Sequence, residues 1–252
     1  MTYRPLIIAH KGFSGKYPES TLLCYEKAAE LGCDFGEMDI RSSKDGILMI
    51  KHELQMSDLT NCEDNICDYT FHELRKLDFG SKFSSRFKGQ QIATFKEVID
   101  LLKNYSMRMC VEIKDVEHKD IPGYEDKVIE IFRREKLFTK AVINIGNLPF
   151  LQRIKKKEPR ICTAAGLPYP YTSQGKIDDI KTIFNELLLA SPNIVQYEYR
   201  HLTREVIYEL HCLGFPVWAW TVNCREDMER LINWGVDGIL TDHPDLLKSL
   251  LF

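Results

Sequence analysis

The chain has 252 residues, of which 44% are hydrophobic and 11% aromatic, so it can bury a sizeable core. Its 34 Lys and Arg residues nearly balance its 37 Asp and Glu residues, which argues against a nucleic-acid partner because such proteins usually carry a basic excess. The aromatic content argues against disorder, and no apolar run reaches the ~18–20 residues of a membrane span.

The N-terminus and the cysteine pattern predict a cytoplasmic protein. The apolar stretch before His10 is too short for the core of a signal peptide. The eight cysteines include one close pair, Cys62 and Cys67, whereas a zinc site of this kind needs a second pair. We therefore expect free thiols in a reducing compartment.

Short apolar or β-branched runs alternate with helical patterns along the whole chain. The predicted strands are residues 6–9, 35–41, 107–114, 141–145, 161–165, 194–198, 216–222 and 238–241. The predicted helices are residues 20–31, 95–103, 124–135, 150–157, 180–189, 204–213, 225–233 and 244–251. This repetition predicts an α/β fold, a single (β/α)8 TIM barrel over residues 1–252, with a doubly wound sheet as the structural rival. Residues 53–93 are predicted to be a long insertion after the second strand unit, on the active-site face.

Ionisable residues stand at the ends of the early strands. Glu37 and Asp39 lie two apart, as do Glu112 and Lys114, so each pair shares one face of its strand. The apolar residues between them must pack against helices, which turns the carboxylates inward, where unpaired charge is costly. The three carboxylates are predicted to bind a hard divalent cation through oxygen. A buried ion-pair layer that includes Lys114 is the alternative.

Two histidines differ from the others by their position. His10 ends the first strand, and His52 follows the apolar run 47–50 after the acidic strand. Two histidines flanking a metal-bound phosphate can exchange protons as acid and base near neutral pH. Lys11 and Lys114 supply positive charge for a phosphoryl group. The histidines given no role are His72, His118, His201, His211 and His243.

These residues lie in motifs that resemble the glycerophosphodiester phosphodiesterase family. Residues 9–53, which begin AHKGFSGKYPEST and end KHE, resemble the family's His-Arg-Gly, Pro-Glu-Asn-Thr and Glu-x-Asp signature followed by Asp-Gly and His-Asp. Residues 59–99 follow the family's pattern through the predicted insertion without a gap. The later matches are VEIK at 111–114, WTVN at 220–223 and GVDGILTDHPD at 235–245. Together they cover nearly the whole chain in the family's order.

The resemblance implies an enzyme that cleaves glycerophosphodiesters to sn-glycerol 3-phosphate and an alcohol. Motif by motif, it implies that Glu37, Asp39 and Glu112 hold one divalent metal ion, with Mg²⁺ preferred and Ca²⁺ as the alternative. It implies acid–base catalysis by His10 and His52.

The resemblance also implies the substrate contacts. Lys11 and Lys114 would contact the phosphate, and Trp220 corresponds to the family's aromatic wall beside the glycerol moiety. Lys11 stands where the family has arginine, which keeps the charge but loses the bidentate fork suited to phosphate. Glu53 replaces the aspartate that usually follows the second histidine. Glu19 is expected to cap the first helix and to orient Lys11.

Two other functions remain open from the residues. One is a phospholipase D-type barrel that forms a cyclic phosphate from a lipid, although such enzymes are usually secreted. The other is a catalytically silent barrel that binds phosphoesters, although none of the two histidines and three carboxylates is lost. The expected partner is a small-molecule glycerophosphodiester, without nucleic acid or a membrane span, and the expected state is a monomer or homodimer.

Overall fold

The computed structural model describes residues 4–116, 121, 123–167 and 177–252. The strands in this part of the chain are β1 (Leu6–Ala9), β2 (Phe35–Ser42), β3 (Leu48–Ile50), β4 (Arg108–Ile113), β5 (Ala141–Ile145), β6 (Cys162–Leu167), β7 (Ile194–Glu198), β8 (Val217–Trp220) and β9 (Gly238–Thr241). All except β3 pair in parallel, and β1 pairs with both β2 and β9, so the sheet closes. The predicted eight-stranded TIM barrel is confirmed, and the doubly wound sheet, which would have two open edges, is excluded.

The short strand β3 is an addition that the sequence did not predict. It runs antiparallel to β2, with Ile50 opposite Ile40, after a turn in which Gly46 has a φ of +80°. Three residues are too few to show a period-two pattern, so the sequence carries little signal for it. Since the backbone N–H of Lys51 donates to the carbonyl of Asp39 at 2.9 Å, β3 returns the chain to the acidic end of β2. This return places His52 beside the barrel mouth.

The helices lie outside the barrel, and side-chain caps fix where several of them begin. They are α1 (Leu22–Leu31), α2 (Phe71–Leu74), α3 (Phe95–Leu102), α4 (Tyr124–Arg134), α5 (Leu148–Lys157), α6 (Ile177–Ala190), α7 (Arg204–Cys212), α8 (Arg225–Trp234) and α9 (Pro244–Leu251). Thr21 caps α1 by accepting from the N–H of Cys24, so the expected capping role of Glu19 is wrong. Asn147 caps α5, which therefore starts two residues before its predicted position. Among the described helices, none is long and apolar enough to cross a bilayer.

Residues 53–93 are ordered around a small apolar cluster that they form together with Met49 of β3. They contain α2 and two short 3-10 helices, Ile66–Asp68 and Ser85–Phe87. The cluster consists of Met49, Met56, Ile66, Leu74, Phe79 and Ile92. The backbone N–H of Ala93 donates to Ser20, and Arg86 donates to the carbonyl of Lys16, so the segment is fixed against the loop after β1. The interpretation of this segment as an insertion stays a prediction.

The inside of the barrel is closed by an apolar layer, which we call the floor. Each barrel strand contributes one buried residue to it: Ile8, Phe35, Cys110, Val142, Ala164, Ile194, Trp218 and Leu240. The ring centroids of Phe35 and Trp218 lie 5.0 Å apart within it. Because strand side chains alternate between faces, residues two positions beyond the floor also point inward, one layer closer to the carboxyl ends of the strands.

Candidate active site

The layer above the floor is mostly polar, and seven of its eight residues line a cavity of about 460 Å³. Counting two residues on from the floor gives His10, Glu37, Glu112, Asn144, Gly166, Gln196, Trp220 and Asp242. TIM-barrel enzymes keep their active sites at this end of the barrel. The cavity brings together every residue that the sequence predicted for the site, namely His10, Lys11, Glu37, Asp39, His52, Glu112, Lys114 and Trp220.

Three carboxylates meet at the ends of β2 and β4. Asp39 and Glu112 are neighbours across the strand pairing, and ligand oxygens of Glu37, Asp39 and Glu112 lie within 4.8 Å of one another. Glu37 and Asp39 are 2% and 3% exposed, so little water screens their repulsion. Burial and the charge of Asp39 raise the pKa of Glu37 to about 8.

This set of donors fits a hard divalent cation. Ions such as Mg²⁺ and Ca²⁺ take carboxylate oxygens as ligands, and two positive charges would offset the repulsion that raises the pKa of Glu37. Lys114 Nζ lies 2.5 Å from Glu112 Oε1 and 3.6 Å from Asp39 Oδ1. The ion pair that formed the alternative prediction is therefore present, but one ammonium group cannot balance three carboxylates. The cluster remains suited to a cation.

His10 contacts a carboxylate that the sequence analysis did not select. Its Nδ1 lies 2.7 Å from Oδ1 of Asp242, and its Nε2 lies 4.0 Å from Oε2 of Glu37. Burial lowers the pKa of His10, but the hydrogen bond to Asp242 and the charge of Glu37 outweigh burial and raise it. Burial raises the pKa of Asp242, and the contact with His10 reverses this effect and lowers it to about 2. Asp242 is therefore ionised at neutral pH.

His52 stands at the cavity with a more exposed carboxylate partner. Its Nδ1 lies 2.7 Å from Oε1 of Glu53, whose side chain is 58% exposed. The carbonyl of His52 accepts a 2.7 Å hydrogen bond from Nε of Arg41, which fixes the backbone at this point. Both histidines thus contact a carboxylate through Nδ1, and their Nε2 atoms remain for other partners.

Lys11 connects the loop after β1 to the carboxylate cluster. Its backbone N–H donates to Oε2 of Glu37 at 2.8 Å, and its Nζ lies 3.3 Å from Oε2 of Glu19. Glu19 thus contacts Lys11 but does not cap α1, and its role in orienting Lys11 stays a prediction. Burial lowers the pKa of Lys11, but Glu19 and the nearby carboxylates Asp39 and Glu37 raise it above its usual value. Lys11 therefore keeps its positive charge in the cavity wall.

The other half of the cavity wall is uncharged. It includes Asn144, Gly166, Gln196 and Trp220 on β5 to β8. Nδ2 of Asn144 donates to Oε2 of Glu112 at 2.8 Å. A Cβ atom at position 166 would lie 2.9 Å from Oδ1 of Asn144, so glycine there allows Asn144 to take this position.

Sequence reasoning missed Asp242 and Asn144, which contact a predicted histidine and a predicted metal ligand. Each lies two residues beyond a floor residue, Leu240 and Val142, so the period-two rule could have found both. Among the histidines given no role, His211 has its Nε2 2.7 Å from Oδ2 of Asp237. Neither residue of this pair lines the cavity. His118 lies outside the described residues.

The chain matches known proteins over nearly its full length. A family model described as the glycerophosphoryl diester phosphodiesterase family matches residues 10–246. A glycerophosphodiester phosphodiesterase of Caldanaerobacter subterraneus subsp. tengcongensis is 33% identical over 250 residues, which are 98% of each chain. A glycerophosphodiester phosphodiesterase of Bacillus subtilis is 30% identical over 264 residues, which cover 98% of this chain and 86% of the relative.

Solved structures agree with these relatives. The glycerophosphodiester phosphodiesterase from Thermotoga maritima is 25% identical, with a TM-score of 0.76 and coverage of 99% of this chain and all of the other. An Oleispira antarctica phosphodiesterase, solved in complex with the product sn-glycerol-3-phosphate, shares the fold at 24% identity with a TM-score of 0.83, covering 98% of this chain and 96% of that one. The family match confirms the resemblance seen in the sequence. The chain belongs to the glycerophosphoryl diester phosphodiesterase family and is a phosphoric diester hydrolase of that family.

Proposed function

We propose that the enzyme hydrolyses glycerophosphodiesters, such as glycerophosphocholine and glycerophosphoethanolamine, to sn-glycerol 3-phosphate and an alcohol. The observation that carries this proposal is one cavity lined by three clustered carboxylates and two histidines, in a chain of this family. The Oleispira antarctica relative, whose structure holds sn-glycerol-3-phosphate as product, supports the choice of substrate class.

Glu37, Asp39 and Glu112 are the residues that would hold one divalent cation, with Mg²⁺ preferred and Ca²⁺ as the alternative. When bound, the ion would offset the charge of the phosphodiester and make its phosphorus easier to attack. The backbone N–H of Lys11 orients Glu37 for this task, since it donates to Oε2 of the carboxylate. Lys114 orients Glu112 through its 2.5 Å contact.

His10 and His52 are proposed to transfer the protons of the reaction. One accepts a proton from the attacking group, either water or a hydroxyl of the glycerol moiety, and the other donates a proton to the departing alcohol. If the glycerol hydroxyl attacks, water then opens the cyclic phosphate. In both rings Nδ1 contacts a carboxylate, so Nε2 is the atom that would exchange the proton. The acid role and the base role are proposed for the two histidines together, without assigning either role to one ring.

Three further residues are proposed to hold the substrate. Lys11 and Lys114 provide positive charge for the phosphoryl oxygens, which stabilises the charge that develops there. Trp220 provides an aromatic wall in the uncharged half of the cavity, suited to the carbon atoms of glycerol.

The proposal also covers the setting of the enzyme. We propose that the chain forms a single TIM-barrel domain with residues 53–93 as its insertion. We also propose a cytoplasmic location, in which the eight free cysteines stay reduced. The phospholipase D-type alternative receives no support from the family match. The silent barrel is disfavoured because all five reactive side chains line the same cavity.

The test is the release of choline and sn-glycerol 3-phosphate from glycerophosphocholine, with and without chelator. We expect both products in equal amounts, loss of activity in EDTA, and recovery on addition of Mg²⁺ or Ca²⁺. Glu229→Gln, a change of an exposed carboxylate on α8, is the control and should behave like the parent enzyme. Full turnover in excess chelator would contradict the metal assignment, and the absence of both products would contradict the substrate class.

A further inference from the structure

His10 is held by a hydrogen-bond network that the proposed function has not used. Nδ1 of His10 lies 2.7 Å from Oδ1 of Asp242, and Oδ2 of Asp242 accepts a 2.6 Å hydrogen bond from Nδ2 of Asn223. Oδ1 of Asn223 accepts from the backbone N–H of Asp242 at 3.0 Å and from the hydroxyl of Thr241 at 3.2 Å. These two donors fix the amide of Asn223 with its NH2 group toward the carboxylate of Asp242.

This network determines which nitrogen of His10 carries the proton. An ionised carboxylate only accepts hydrogen bonds, so its contact with Nδ1 requires the proton on that atom. The lone pair of the neutral ring is then on Nε2, which lies 4.0 Å from Glu37 and faces the cavity. The opposite tautomer would direct a lone pair at Asp242 and leave no lone pair to accept a proton from substrate.

We propose that Asp242 and Asn223 are positioning residues of the reaction: Asn223 fixes Asp242, and Asp242 fixes the tautomer and the orientation of His10. The inference rests on the proposed function, because it needs Nε2 of His10 to exchange a proton. The inference assigns a role to one residue of each of two sequence motifs, Asn223 in the motif at 220–223 and Asp242 in the motif at 235–245. The rival is a purely structural network that ties the loops after β1, β8 and β9 together.

Asp242→Asn tests the tautomer because Asn223 dictates how the new amide turns. The NH2 group of Asn223 can only donate, so the oxygen of the new amide is expected to face it and the new NH2 group to face His10. Ser14, whose hydroxyl donates to Oδ1 of Asp242 at 2.9 Å, can donate instead to the carbonyl of His10 at 2.8 Å and accept from the new NH2 group. The NH2 group that faces His10 requires a lone pair on Nδ1 and moves the ring proton to Nε2. We expect kcat for glycerophosphocholine to fall at least ~100-fold, with KM changed less than ~3-fold.

A reciprocal exchange is expected to restore the tautomer. In the double variant Asn223→Asp/Asp242→Asn, the carboxylate at position 223 accepts from Thr241 and from the amide at position 242. The oxygen of that amide is then free to face His10 and accept from Nδ1–H. We expect kcat to rise at least ~10-fold over that of Asp242→Asn. This recovery is expected whether or not the thermal unfolding midpoint also rises.

The chain offers a matched control in a second His–Asp contact. Asp237 Oδ2 lies 2.7 Å from Nε2 of His211 and also accepts from the backbone N–H of Val217, away from the residues that line the cavity. Asp237→Asn removes the same charge from the same kind of contact. We expect it to change the unfolding midpoint but to leave kcat within ~3-fold of the parent enzyme.

Nitrogen-15 NMR of histidine-labelled protein reads the tautomer without any activity assay. The His10 signals are assigned by their loss in His10→Ala, at a pH at which the ring is neutral. We expect the Nδ1–H tautomer in the parent enzyme and the Nε2–H tautomer in Asp242→Asn.

An Nε2–H tautomer in the parent enzyme would overturn the proposal. So would an Asp242→Asn variant that keeps kcat within ~3-fold, or that loses no more than Asp237→Asn. If the parent enzyme released no glycerol 3-phosphate, the proposed function would fail, and the NMR spectrum would still decide the tautomer.

Discussion

Replacing Glu37 with glutamine is expected to stabilise the metal-free protein and to remove its activity. Glu37 is 2% exposed and stands within the cluster formed with Asp39 and Glu112. Glutamine has nearly the same shape, and its amide oxygen can still accept from the backbone N–H of Lys11, as Glu37 does at 2.8 Å. The substitution therefore removes one buried negative charge while it keeps the packing and the hydrogen bond.

The size of the effect follows from the pKa of Glu37. Burial and Asp39 raise this pKa from 4.5 to about 8 in the folded protein. The folded state therefore keeps a proton that the unfolded chain releases, so the stability that Glu37 contributes is full below pH 4.5 and is lost as the pH rises through 8. At 1.36 kcal/mol per pKa unit the whole shift is worth ~5 kcal/mol, which is an upper limit because water and side chains rearrange around a buried charge. We expect Glu37→Gln to gain about 1–3 kcal/mol at pH 8.5 and much less at pH 5.

The measurement is the free energy of unfolding by urea in the presence of EDTA at both pH values. Glu229→Gln, whose carboxylate is half exposed, should follow the parent protein at each pH. In Mg²⁺ and without EDTA, kcat of Glu37→Gln should fall by at least ~100-fold, because a ligand of the cation is lost. A chelated Glu37→Gln protein that is no more stable than its parent at pH 8.5 would refute the reasoning about burial.

Three further outcomes are expected. His10→Ala and His52→Ala should each lower kcat by ~10²–10⁴-fold while the unfolding midpoint and metal affinity change little, and full activity in either variant would remove that residue from the mechanism. Lys11→Arg should be tolerated or improve kcat/KM, whereas Lys11→Met should raise the activation free energy by a few kcal/mol; equal rates for Lys11→Met and the parent would show that its charge is not used. Bis(p-nitrophenyl) phosphate, which lacks a glycerol hydroxyl, should be cleaved much more slowly than glycerophosphocholine, and a cyclic glycerophosphate should accumulate only if that hydroxyl attacks phosphorus.

The acidic half of the site could be predicted because its signal is local. Glu37 and Asp39, like Glu112 and Lys114, lie two apart on single strands, and period two alone places each pair on one face. The barrel then brings β2 and β4 together in the register that sets Asp39 beside Glu112. The apolar residues of the same strands exclude the opposite orientation, because they would have to face the cavity.

Asp242 was missed because the period-two rule was applied only to the early strands, and Asp242 follows the last one. It acts on His10 across 232 positions of sequence, and the two meet only because β1 pairs with β9 and closes the barrel. The backbone N–H of His10 donates to the carbonyl of Thr241 at 2.9 Å, which sets the two loops side by side. The capping role expected for Glu19 was wrong for a different reason, since Thr21 stands closer to the first turn of α1 and takes its free N–H.

The layer above the floor has a charged part and an uncharged part, which face the same cavity. The strands β1, β2 and β4 place His10, Glu37 and Glu112 over an apolar floor, where charges interact more strongly than in water. The strands β6 and β8 place Gly166 and Trp220 on the uncharged part of the cavity wall. We expect the negative charge of a phosphodiester to face the charged part. The glycerol and the head group on either side of the phosphorus would then face the uncharged part, which offers them no charged partner. A departing alcohol needs only a proton from one histidine, and this is the physical reason to expect that the enzyme accepts glycerophosphodiesters with different head groups.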